Sequence, residues 1–139
     1  FMLTRYPLPS KDGYHTFLGP VFTALPELAR YRWLITGWEG PTLPENAGPG
    51  RCLMDGDTLA ALVTGEDPQW IWGCLLAFLP ETPVEAILAH SIPNLETPAF
   101  WTAAELHHPL AVLELIAEDS SYSWLLTRSP LPEGHLPWL

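Results

Sequence analysis

Residues 70–79 read Trp-Ile-Trp-Gly-Cys-Leu-Leu-Ala-Phe-Leu, ten positions without a charge. The run is apolar on both alternating sides, the pattern of a central strand covered on each face, although periodicity alone does not separate it from a buried helix. Ten residues fall well short of the roughly 20 that a membrane helix needs. A covered strand requires partners beside it and layers above and below it, so the rest of the chain is read for those.

Downstream, Thr82-Pro83-Val84-Glu85 matches a capping box with proline at the first helical position and predicts a short helix over 83–90. Thr102-Ala103-Ala104-Glu105 repeats the device before Pro109. Leu110 to Glu118 and Tyr122 to Arg128 are strand-like runs separated by Asp119-Ser120-Ser121, which reads as a hairpin, with a continued helix as the other reading of the first run. Residues 129–139 hold three prolines and form a C-terminal tail that packs only if Leu136 and Trp138 find a groove.

Upstream, Tyr31, Trp33 and Ile35 alternate with Arg32, Leu34 and Thr36, a strand ending near Trp38. Before it, Phe17, Leu18, Val21, Phe22, Leu25 and Leu28 recur at helical spacing, broken into short helices by Pro20 and Pro26. Residues 1–15 are an irregular or short extended lead-in with a turn at Lys11-Asp12-Gly13. The glycine- and proline-rich stretch Gly37 to Gly50 is a long loop. Asp57 is a helix N-cap, followed by Leu59, Leu62 and Val63 on one face and by Gly65 as terminator. Together these elements predict an α+β fold, one globular domain over 1–139, with a mainly antiparallel four-stranded sheet and three or four short helices.

The 139 residues hold 6 Lys and Arg against 16 Asp and Glu, a net charge of −10. Residues 1–65 carry five basic and six acidic side chains (net −1), whereas residues 66–139 carry Arg128 and ten acids (net −9). Such a surface repels the phosphates of nucleic acid and anionic membranes, and it attracts a basic protein partner. Acidity that serves solubility alone is the competing explanation. Cys52 and Cys74 form no CxxC motif, so reduced thiols and a cytoplasmic location are expected, with Cys74 in the core and Cys52 partly exposed.

Catalytic and cofactor motifs are missing. Asp55, Asp57 and Glu66 sit at calcium-loop positions 1, 3 and 12, but Leu59 and Ala60 stand where an oxygen ligand and the turn glycine belong. His15, His90, His107, His108 and His135 make no HExxH, and neither GxSxG nor a phosphate-binding glycine loop occurs. No cofactor, no metal and no enzymatic activity are therefore expected.

Acids and indoles remain. Glu114 and Glu118 fall on one side of their strand, read as an exposed face, and Asp119 follows. Of seven tryptophans, Trp70 and Trp72 share a face on the alternation rule, and Trp124 lies in the hairpin. Aromatic anchors beside orienting carboxylates describe a protein-binding surface, so Glu114, Glu118, Asp119, Trp70, Trp72 and Trp124 are the candidate partner-binding residues. Tryptophans packed purely in a core, or between the subunits of a homo-oligomer, explain the same composition.

Short early helices, the strand ending Trp33-Leu-Ile-Thr-Gly-Trp38, the apolar strand at Trp70 to Leu79 and the hairpin at Asp119 to Tyr122 resemble, in size, charge and element order, small bacterial immunity proteins. They also resemble uncharacterised bacterial families of similar size. The first resemblance implies a cytoplasmic inhibitor that blocks a basic toxin. The alternative is a small enzyme or ligand-binding domain with a site near the Gly37 to Gly50 loop, using His107 or His108.

Overall fold

The computed structural model describes residues 3–9 and 16–139, so the turn expected at Lys11 to Gly13 and His15 lie outside the described residues. Its frame is one antiparallel sheet: β1 (Thr4–Pro7), β2 (Arg32–Glu39), β3 (Arg51–Asp55), β4 (Trp72–Phe78), β5 (Leu113–Glu118) and β6 (Tyr122–Thr127), in the order β1-β6-β5-β4-β2-β3. The domain is α+β, and its sheet has six strands where the sequence predicts four. β4 is central and buried on both faces, as its composition requires. The β5–β6 hairpin forms in register from Leu113↔Thr127 to Glu118↔Tyr122, its turn closed by Asp119 and Ser120 at positive φ. Short polar side chains tolerate that conformation better than branched ones do.

One face of the sheet presents Trp33, Ile35, Cys52, Leu75, Ala77, Leu115, Ala117 and Leu125. It is covered by α1 (Gly19–Ala24), a 3-10 turn at Pro26–Arg30 and α2 (Gly56–Gly65). Pro20 and Pro26 each occupy the first turn of their helix, where a missing N–H is harmless. The tail completes this face: Leu136 is buried, Leu131 donates its N–H to the Tyr6 hydroxyl at 2.7 Å, and the Trp138 indole donates to the Pro7 carbonyl at 2.8 Å.

The opposite face presents Leu34, Cys74, Leu76, Phe78, Ile116 and Leu126. It is covered by α3 (Val84–Leu88), α4 (Pro98–Trp101) and the irregular chain after α4. Three arginines fasten this cover through main-chain carbonyls. Arg32 reaches Thr82 at 3.4 Å, Arg51 reaches Leu88 at 3.0 Å, and Arg128 holds the carbonyls of His108, Pro109 and Ala111.

Several local expectations change. The helix expected at Thr102 to Glu105 is absent; α4 precedes it, started by Pro98, and Thr102 is its C-cap. Neither Thr82 nor Asp57 caps a helix: the N-cap of α3 is Pro83, and that of α2 is Asp55, placing Asp57 in the first turn. Cys52 is fully buried on the face opposite Cys74, and both thiols are free. No helix among the described residues is long and apolar enough to cross a membrane.

Candidate functional site

The second face differs from the first in carrying an acid and two histidines within its apolar layer. Glu114 projects into it from β5 and is completely buried. It accepts two hydrogen bonds from one residue, the His107 backbone N–H and ring Nδ1, both at 2.6 Å. The other ring nitrogen of His107, Nε2, faces the Phe100 carbonyl at 2.8 Å, and the ring stacks on Phe100 at 3.7 Å. An ionised carboxylate at one nitrogen and a carbonyl at the other both call for a donor, the arrangement of an imidazolium paired with Glu114. Burial alone would neutralise it, but the bond to Glu114, that residue's charge and the Phe100 carbonyl outweigh burial and hold the pKa above the ordinary histidine value.

The neighbouring histidine is in the opposite state. His108 Nε2 lies 2.9 Å from the Ile87 carbonyl, while Nδ1 accepts the Leu110 N–H at 3.0 Å, the pattern of a neutral ring protonated at Nε2. Burial lowers its pKa, the Ile87 carbonyl opposes this, and His90, 4.6 Å away between ring centroids, lowers it further. Cys74 completes the polar layer. Burial and then the Glu114 charge push its thiol well above the usual range, with a partial offset from the Thr36 hydroxyl.

Toward the Trp72 end of the sheet the cover stops, and the same face opens. Gly37, at φ 59, makes a bulge in β2, so that Thr36↔Cys74 is followed by Glu39↔Trp72, three steps on one strand against two on the other. The left-handed φ favours glycine there, and a Cβ would in addition press on the Leu95 side chain. The bulge resets the alternation: Trp38 packs on the first face and Glu39 lands beside Trp72. Continuing the β4–β5 register past Gly73↔Ala117 sets Trp72 next to Glu118, which pairs with Tyr122. The resulting row across four strands runs Glu39, Trp72, Glu118, Tyr122, acid and aromatic in turn.

Trp124 stands behind this row. Its indole N–H donates to Glu118 Oε2 at 3.2 Å, and its ring stacks on Tyr122, which is 57% exposed. On the far side Arg5 of β1 lays its guanidinium over Trp124 at 5.2 Å and Trp101 at 5.9 Å. Among the described residues no arginine pairs with a carboxylate; the ion pairs between them are His107–Glu114 and His135–Glu27.

Of the six residues singled out from the sequence, Trp72, Glu118 and Trp124 come together here, and Asp119 is exposed in the adjoining turn. Two do not belong. Glu114 lies inside the second face and not on an exposed strand surface, because His107 and the cover close over it. Trp70 is fully buried on the first face, since the chain bends at Trp70 and Ile71 and β4 begins only at Trp72. Gly73 leaves the space that the Trp70 ring occupies. Sequence reasoning missed Glu39, Tyr122 and Arg5; a glycine inside a strand pattern was the available signal for Glu39. The cleft beside the Gly37 to Gly50 loop, about 380 Å³, is lined by Thr36, Arg51 and the 91–94 segment, and neither His107 nor His108 lines it. Comparisons with protein-family models, curated proteins and solved structures found no match to this chain.

Proposed function

We propose that this chain is a non-enzymatic protein-binding domain that takes a cationic segment of a partner on the open end of its second sheet face. The row of Glu39, Trp72, Glu118 and Tyr122, backed by Trp124, carries this reading. Rings supply area and a negative π-face, and the carboxylates between them orient a guanidinium or ammonium group. Arg5 supports it from within the molecule, because its guanidinium already rests on Trp101 and Trp124. The charge balance supports it too: Arg32, Arg51 and Arg128 are held by main-chain carbonyls, and the net charge of −9 on residues 66–139 attracts cations over a distance.

An immunity-type inhibitor that blocks a basic toxin is the specific case favoured by size and charge, and a toxin gene adjacent to this one is its simplest genetic test. For the binding itself, calorimetric titration with an arginine-rich peptide at low salt is expected to show binding that weakens with added salt. Replacing Trp72 and Trp124 together by alanine is expected to weaken it by more than about tenfold. Unchanged binding by that double variant, or none by the wild type, rejects the reading.

A further inference from the structure

We infer that Cys74, His107 and Glu114 form a binding site for a divalent transition-metal ion of the zinc class, independent of the partner-binding surface. One sulfur, one nitrogen and one oxygen from three separate segments lie within 4.8 Å of one another, buried between sheet and cover. A zinc ion with bonds of about 2.0 to 2.3 Å to such donors sets them roughly 3.3 to 3.8 Å apart, so the group needs only small side-chain movements to close on it.

The surroundings are those of a ligand set. A metal-binding imidazole is usually oriented by giving its other N–H to a carbonyl or carboxylate. His107 does this through Nε2 to Phe100, is wedged by stacking on that ring, and so aims Nδ1 at Glu114. Glu114 is steadied in turn by the His107 backbone N–H on Oε2, which leaves Oε1 toward the proposed ion. Arg128 clamps the loop carrying His107 at three carbonyls. Beside Cys74, across the β2–β4 pairing, the Thr36 hydroxyl is buried without an oxygen or nitrogen partner, so one more donor adjoins the set. On binding, the ion replaces the Nδ1 proton of His107 and the thiol proton of Cys74, and both protons leave to solvent.

The test uses the full chain, unfolded and refolded with cobalt(II) chloride or zinc chloride and then freed of loose metal by gel filtration. We expect one ion per chain. The cobalt form should show a sulfur-to-metal charge-transfer band that is lost in Cys74→Ser and kept in Cys52→Ser, and Glu114→Gln should weaken zinc affinity by more than about tenfold. Should Cys74→Ser fail to fold, X-ray absorption of the zinc-loaded wild type decides: one sulfur with nitrogen and oxygen neighbours supports the site. A refolded wild-type chain that retains no metal overturns it, as does a first shell without sulfur or a folded Cys74→Ser that binds as tightly.

Discussion

Leu115 and Glu114 are neighbours on β5, both fully buried, yet they face two differently built interiors. Leu115 joins a layer of aliphatic and aromatic side chains and the Cys52 thiol, under three short helices and a docked tail. Glu114 enters a layer where an ion pair and a neutral histidine interrupt the apolar packing, and which opens at one end onto aromatics and acids that reach the surface. The second arrangement leaves polar groups that must be satisfied one by one, so it is where function is most economically sought.

The sharpest break of this comparison is at Glu114. Glu114→Ala leaves the His107 imidazolium without its counter-charge and is expected to lower stability by about 3 to 5 kcal/mol in urea unfolding. Replacing the pair jointly by apolar residues of similar size should recover most of that loss, since the charges are then gone together. On the first face, Leu115→Ala should lose about 3 kcal/mol, a cavity effect with no pH dependence.

The two adjacent histidines give a finer separation, read by NMR on chelator-treated protein. The folded pKa of His108 is lowered, so its contribution to stability is present above the unfolded value of about 6.5 and fades as pH falls below it. That of His107 is raised, so its contribution is full below the unfolded value and is lost as pH rises through the folded one. Ring shifts should therefore show His107 still charged at a pH where His108 is neutral, and two rings titrating together would contradict the assignment. Smallest in stability is Glu118→Gln on the open end, within about 0.5 kcal/mol of wild type by thermal unfolding, although it should weaken arginine-peptide binding several-fold.

How much of this was legible in the sequence follows from which interactions are local. β2, β4 and the hairpin announce themselves through alternation, continuous apolarity and turn residues, and all three form, with β4 starting only at Trp72 and β5 only at Leu113. β1 and β3 did not, because both are edge strands whose pairing is set from elsewhere. Thr4–Pro7 ends in a proline, with Pro9 just beyond it, and pairs with the distant β6, and the five residues of β3 merge on paper with the loop before them. That loop has its own role: the Asn46 side chain bonds both the N–H and the C=O of Leu53, closing an edge open to further strands. Of the candidate surface, Trp72, Glu118 and Trp124 are the residues that residue type and spacing single out, and the fold brings them together. The burial of Glu114 could not, because its partner comes from an irregular loop and no periodicity reports that pairing. Glu39 depended on a one-residue bulge, which moves every later side chain on its strand to the other face.

The central claim is that the open end of the second face is the recognition surface, and indole N–H resonances test it most directly because each tryptophan reports separately. During titration with an arginine-rich peptide at low salt, the Trp72 and Trp124 signals should shift together and saturably, while those of the sealed Trp33 and Trp70 stay in place. Shifts confined to Trp38 and Trp138 on the opposite face, or no saturable shift at any indole, would contradict the account.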